Sequence, residues 1–139
     1  MAIKNYTSKI STIKSLAEIQ EDLAIHGARK IMIEYDNNGK ASGITFCIEV
    51  NGTLAGFYLT ANVAGVLSVF KEQHIKEDRE QAERTAWRNV RDWVLAQMSF
   101  VECGNATIEE VFLPYLTDGK QTLFQSYTTG VMQLPEYRG

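Results

Sequence analysis

Apolar and polar side chains alternate through much of residues 30–60, and this period of two most constrains the fold. Such alternation, rich in β-branched and aromatic residues, is typical of strands with one buried face. Asn38-Gly39 and Asn51-Gly52 interrupt the pattern and favour tight turns, because both residue types tolerate positive φ. The pattern predicts a three-stranded antiparallel meander over residues 30–36, 43–50 and 53–60.

Short helical patterns flank this stretch on both sides. Ser15 and Glu18 have the spacing of a capping box, which predicts a helix that ends at Gly27. Asn62 is a suitable cap for a helix that starts at Val63. These helices can cover the apolar face of the sheet.

A longer helical pattern runs over residues 77–102, with Gly104 as its stop. Its apolar stripe includes Val90, Val94 and Val101, which we expect to pack on the meander. Thr107 and Glu110 form a second capping box, and Pro114 should end the helix that follows.

Together these elements predict an α+β fold, in which a long α-helix and shorter helices cover the three-stranded meander. A chain of 139 residues fits one domain over residues 1–139. Residues 1–14 are expected to form an N-terminal arm, and residues 131–139 a mobile tail.

Composition excludes some functional classes. The formal net charge is −3, so a general attraction to nucleic acid or to anionic membranes is not expected. The N-terminus has no continuous apolar run after its basic residues, and no apolar run approaches the length of a membrane span. Cys47 and Cys103 lie far apart in the sequence and form no paired motif. We therefore expect a cytoplasmic protein with reduced thiols.

The common catalytic and cofactor motifs are absent from the sequence. It contains no glycine-rich phosphate loop, and its two histidines, His26 and His74, do not fall in a zinc motif. We therefore expect no catalytic residues, no metal and no cofactor, and predict that the protein is not an enzyme.

One cluster on the long helix is a candidate binding site. At about 100° per residue, Arg84, Arg88 and Arg91 fall together beside Trp87. Three guanidinium groups on adjacent turns suit phosphate, and a neighbouring ring suits base stacking. We take these four residues as a candidate site for an anionic ligand, such as single-stranded nucleic acid or a nucleotide.

The same residues have a structural interpretation. Arg84 can pair with Glu80, and Arg88 with Asp92, both at i,i+4 spacing. Trp87 and Trp93 lie on or beside the apolar stripe and fit core packing. On this interpretation the arginines form a salt-bridged helix flank that binds nothing.

The segments "ER-x-AWR-x-x-x-DW" and "E-V-FLPY" resemble those of a group of small proteins encoded by bacteriophages and prophages. The likeness covers residues 16–124, and its matching residues are Glu83, Arg84, Ala86, Trp87, Arg88, Asp92, Trp93, Glu110, Val111, Phe112, Leu113, Pro114 and Tyr115. The resemblance implies a phage or prophage origin and a host-cytoplasmic setting, and it implies no activity.

Two functions are therefore expected from the sequence. One is an accessory protein that binds an anionic ligand through the arginines; the alternative is a module that engages or inhibits a host protein. We also expect a homo-oligomer, because the apolar arc of the long helix is wider than one small sheet requires.

Overall fold

The computed structural model describes residues 1–130 and 133–139. The fold is α+β, with an antiparallel sheet and a long helix, as predicted. The elements follow in the order α1 (Thr12–Ile25), β1 (Ala28–Tyr35), β2 (Ala41–Val50), β3 (Thr53–Thr60), α2 (Val63–Glu72), α3 (Arg79–Glu102), α4 (Ile108–Phe112), a 3-10 turn (Leu113–Tyr115), β4 (Leu116–Thr117) and α5 (Leu123–Thr128).

The predicted three-stranded sheet is corrected: in the described part of the chain it has four strands in the order β1-β2-β3-β4, and each neighbouring pair is antiparallel. β4 pairs only with Gly56 and Phe57 of β3. It is missed by the sequence pattern because two residues are too few to show a period. The turn between β2 and β3 does use positive φ at Asn51 (51°) and Gly52 (82°), as predicted.

The start of α1 also differs from the prediction. The helix begins at Thr12, and the Ser11 side chain accepts the cap bond from the Lys14 amide. Ser15 lies inside the helix and is buried. Glu18 is therefore free of the predicted capping box and available for tertiary contacts.

The caps of the later helices are confirmed. Asn62 caps α2, and Thr107 with Glu110 forms the capping box of α4. Asp78 caps α3, which begins at Arg79, and Pro114 lies in the 3-10 turn that follows α4. The last element, α5, is a short helix whose own capping box joins Thr122 and Gln125.

The core lies between one face of the sheet and helices α1, α2 and α3. Strand residues on this face include Ile44, Phe46 and Phe57, and α3 contributes Val94, all fully or almost fully buried. The opposite face carries Met32, Thr45 and Tyr58, which are cross-strand neighbours. α3 packs against both α1 and α2, and α1 also contacts β1.

The chain ends differ in their contacts. The N-terminal segment docks on α3: the Asn5 side chain donates to Asn89 and Asp92, and the Asn5 carbonyl accepts from Thr85. Residues 133–139 are exposed and form no regular secondary structure. The predicted mobile tail also includes Val131 and Met132, which lie outside the described residues.

Candidate functional site

The three predicted arginines lie together along α3, and all of them have partners within the protein. The Arg84 guanidinium donates to the Ser8 carbonyl at 3.3 Å and to Gln81 Oε1 at 2.7 Å. Arg88 and Arg91 each donate to Glu18 of α1 at 2.9 Å. Neither predicted i,i+4 ion pair, with Glu80 or from Arg88 to Asp92, occurs among the described residues.

Carboxylates neutralise this cluster. The hydrogen bond from Arg88 is the largest influence on Glu18 and lowers its pKa below the usual 4.5. Burial raises the pKa of Asp92, but hydrogen bonds from Lys4, Asn5 and Arg91 outweigh it and lower the pKa to about 2. Both acids are therefore ionised at neutral pH, and their negative charges offset the positive charges of Arg88 and Arg91.

Trp87, the fourth predicted site residue, is only 1% exposed. Its indole N–H donates to the Ala41 carbonyl at 3.1 Å, which ties α3 to the start of β2. A base could not stack on this ring without opening the core.

The geometry therefore favours a structural role for the arginine cluster, while its predicted ligand binding stays a prediction. An incoming phosphate would have to replace Glu18 as the partner of Arg88 and Arg91. The side chains of these arginines are only 14% and 25% exposed, so this exchange would also disturb the packing of α1 on α3.

A histidine links the same two helices at their other end. His26 Nδ1 lies 2.7 Å from the Asp22 carbonyl oxygen, and Nε2 lies 2.5 Å from Glu102 Oε1. Burial lowers the pKa of His26, but the bonds to Asp22 and Glu102 outweigh it and raise the pKa above 6.5. When it is protonated, the ring carries a positive charge between Asp22 and Glu102 and helps to hold α1 against the end of α3.

We expect this histidine to make stability depend on pH near neutrality. A folded-state pKa above the unfolded value contributes stability that is complete below about pH 6.5 and is lost as pH rises through the folded pKa. The melting temperature should therefore fall between about pH 6 and pH 8 in the wild type, with a loss of about 1 kcal/mol or less, and stay flatter in His26→Gln. His74→Asn is the control, since His74 is exposed and Asn tolerates its φ of 58°. Equal pH slopes in wild type and His26→Gln would refute the assignment.

A second candidate site is a groove of about 500 Å³ beside the edge of β3. Its floor is the first half of β3, and its walls come from α4, the 3-10 turn, β4 and α5. Four leucines line the groove together with Val50 and Phe57: Leu54, Leu113, Leu116 and Leu123. Leu54 and Leu113 are 44% and 46% exposed, so an apolar surface here is open to solvent.

The charged side chains that line the groove are Glu109 and Asp118, and both are acidic. Backbone N–H groups of Lys120 and Gln121 donate to Asp118 and lower its pKa below 3.8. Asn51 reaches Glu109 only at 3.5 Å, so the charge of Glu109 has no strong partner among the described residues. The groove thus combines apolar walls with negative potential.

The groove could not be predicted from the sequence because its residues come from two stretches far apart in the chain, 50–57 and 109–126. The sequence signals for the groove are weak. They are Leu54, at a β3 position whose side chain faces away from the core, Pro114 after Leu113, which ends a helix, and the capping spacing of Thr122 and Gln125. None of these indicates on its own that the segments lie together.

Within residues 1–130 and 133–139, no helix is both long and apolar enough to cross a membrane. In the same ranges no three His, Cys, Asp or Glu side chains come together as a metal site.

Comparison with known proteins finds no match, whether with protein-family models, curated proteins or solved structures. The chemistry of the candidate sites therefore rests on their own geometry.

Proposed function

We propose that this protein is a non-enzymatic interaction module that binds an extended, apolar and basic segment of another protein in the groove beside β3. The phage resemblance would make the partner a host protein in the host cytoplasm. The observation that carries the proposal is the groove itself, because exposed leucines, an unpaired strand edge and acidic side chains converge there.

The strand edge supplies the main-chain part of the interaction. β4 covers only Gly56 and Phe57, so residues 53–55 of β3 have no strand partner on that side within the described chain. An extended peptide can add a strand to such an edge and gain backbone hydrogen bonds. Its alternate side chains would then point towards Leu54 and Leu113.

The side chains supply selectivity for sequence. Burying a leucine-sized group contributes about 1.5–3 kcal/mol, so apolar residues at alternate positions would provide most of the affinity. Glu109 and Asp118 at the groove favour a lysine or arginine in the segment and disfavour acidic ones. The arginine cluster is the weaker candidate, because its donors already bind Glu18 and Asp92.

The test uses two labelled peptides, one alternating leucine with lysine and one alternating leucine with glutamate. Fluorescence anisotropy should show binding of the lysine peptide that weakens with added salt, and no binding of the glutamate peptide. Leu113→Ser should weaken binding about tenfold, and Glu109→Gln about twofold to fivefold, because an exposed ion pair is weak. Glu72→Gln, the same charge change at an exposed position of α2, is the control.

The proposal fails if neither peptide binds up to its solubility limit. It also fails if Leu113→Ser and Glu109→Gln bind the lysine peptide as well as Glu72→Gln does, since binding would then lie elsewhere.

A further inference from the structure

The opposite edge of the sheet is also unpaired. β1 has eight residues, pairs with β2 on one side and has no strand on its other side among the described residues. The pairing with β2 shifts register near Ala28 and Tyr35 and is regular from Lys30 to Glu34, where alternate residues point their backbone N–H and C=O groups outwards. Such an edge is a template for another strand unless charges or irregularities protect it.

Side chains around this edge are apolar and incompletely buried. On the core face, Ile31 and Ile33 pack against the core yet are only partly buried. On the opposite face, Met32 is 58% exposed. A partner at this edge would complete the burial of all three.

α1 presents a matching surface above the edge. Ile13, Ala17, Gln20 and Ala24 share one side of α1 at helical spacing, and Ile13 is 80% exposed. Ser15 and Glu18 lie on the opposite side and face Arg88 of α3. The stripe therefore faces away from α3, outwards over the free edge of β1. Its two alanines would let another helix approach closely.

We propose that the occupant of this edge is a second copy of the chain, with β1 pairing antiparallel to the partner's β1 about a two-fold axis at Met32. Charge complementarity points to a second copy. Antiparallel pairing centred on Met32 places Lys30 opposite the partner's Glu34, and Glu34 opposite the partner's Lys30. It also places Ile31 opposite the partner's Ile33. The two members of each pair lie on the same face of the sheet, as the pleat requires.

Other registers lack this match. A two-fold axis at Ile31 or Ile33 would set Lys30 or Glu34 opposite an uncharged methionine. Lys30 and Glu34 would repel many strands that approach this edge, but they favour the pairing of two copies of β1 in this one register. The Tyr58 hydroxyl lies 3.4 Å from one Glu34 oxygen and leaves the other oxygen for the partner's lysine.

The helix stripe fits the same axis. Met32 lies about 13 Å from Ala28 along β1. α1 ends at Ile25, close to the start of β1, and a distance of about 13 Å back along α1 from Ile25 reaches the turn that contains Ala17. The partner's α1 would then cross near Ala17, one of the two alanines of this stripe. The resulting dimer has a continuous eight-stranded sheet, with one β3 groove towards each end.

The test is a charge exchange measured by light scattering and sedimentation equilibrium. The wild type should have twice the 15.6 kDa mass of the chain. Lys30→Glu and Glu34→Lys should each weaken the dimer by on the order of tenfold, because each places two like-charged pairs across the axis. The double variant Lys30→Glu with Glu34→Lys should restore the dimer. Lys76→Glu, at an exposed loop position, matches the charge change of Lys30→Glu and should leave the mass unchanged.

Circular dichroism of each variant confirms that the chain remains folded. A wild type that stays at 15.6 kDa at its highest attainable concentration overturns the proposal. A double variant that does not recover, or a Lys30→Glu variant that dimerises as well as Lys76→Glu does, overturns the register. Leu113→Ser should leave the mass unchanged, so this result is independent of peptide binding in the groove.

Discussion

Replacing Phe112 with alanine should lower the free energy of unfolding by about 3–5 kcal/mol, the cost typical of removing a buried aromatic ring. Phe112 is 0% exposed. Its ring centre lies 5.2 Å from that of Phe46, 5.8 Å from that of Phe57 and 5.7 Å from that of Trp93. One side chain of the short α4 thus fills the space between two strands and the long helix, and its loss leaves a cavity that rigid elements cannot close.

Urea unfolding followed by circular dichroism measures this effect, with Phe100→Ala as the matched control. Phe100 lies on α3 but is 50% exposed, so its truncation should change the stability by about 0.5 kcal/mol or less. A loss below about 1 kcal/mol in Phe112→Ala would show that the cluster does not hold α4 in place. Because Leu113 follows directly, Phe112→Ala should also weaken peptide binding in the groove.

Replacing Glu18 with glutamine should cost about 1–2 kcal/mol, between the cost typical of a surface ion pair, about 0–1 kcal/mol, and that of a buried one, about 3–5 kcal/mol. The Glu18 side chain is 26% exposed and accepts hydrogen bonds from both Arg88 and Arg91. Its loss leaves two guanidinium groups with too few acceptors between α1 and α3.

The sign of the pH effect provides a second measurement for this variant. The folded-state pKa of Glu18 is lowered, so its contribution is present above about pH 4.5 and lost as pH falls through the folded value. The stability difference between wild type and Glu18→Gln should therefore shrink in acid. Glu21→Gln, an exposed change one turn away, is the control and should stay close to wild type.

The same variant examines the anion-binding hypothesis. If Glu18 occupies the arginines, Glu18→Gln should bind fluorescent single-stranded DNA more strongly than the wild type does, with a steeper salt dependence. The opposite result would be salt-sensitive DNA binding by the wild type that the double variant Arg88→Gln with Arg91→Gln loses at an unchanged melting temperature. That result would favour the arginines as a ligand site.

Much of the fold follows from the sequence alone because its signals are local. A period of two over β2, the Asn51-Gly52 turn and the Thr107 capping box each depend on residues a few positions apart. Strand, turn and cap geometry are decided at that range. The long helix was predictable for the same reason, to within two residues at its start.

Contacts between distant segments decided the rest. β4 exists because the 3-10 turn brings Leu116 beside Phe57. Glu18 fits a helix cap by spacing, yet it lies inside α1 and binds arginines 70 and 73 residues away. The groove and the free edge of β1 likewise depend on which elements become neighbours. The periodicity of the sequence predicts which side of a helix or strand is buried. Which element packs against that side depends on the tertiary packing of the whole chain.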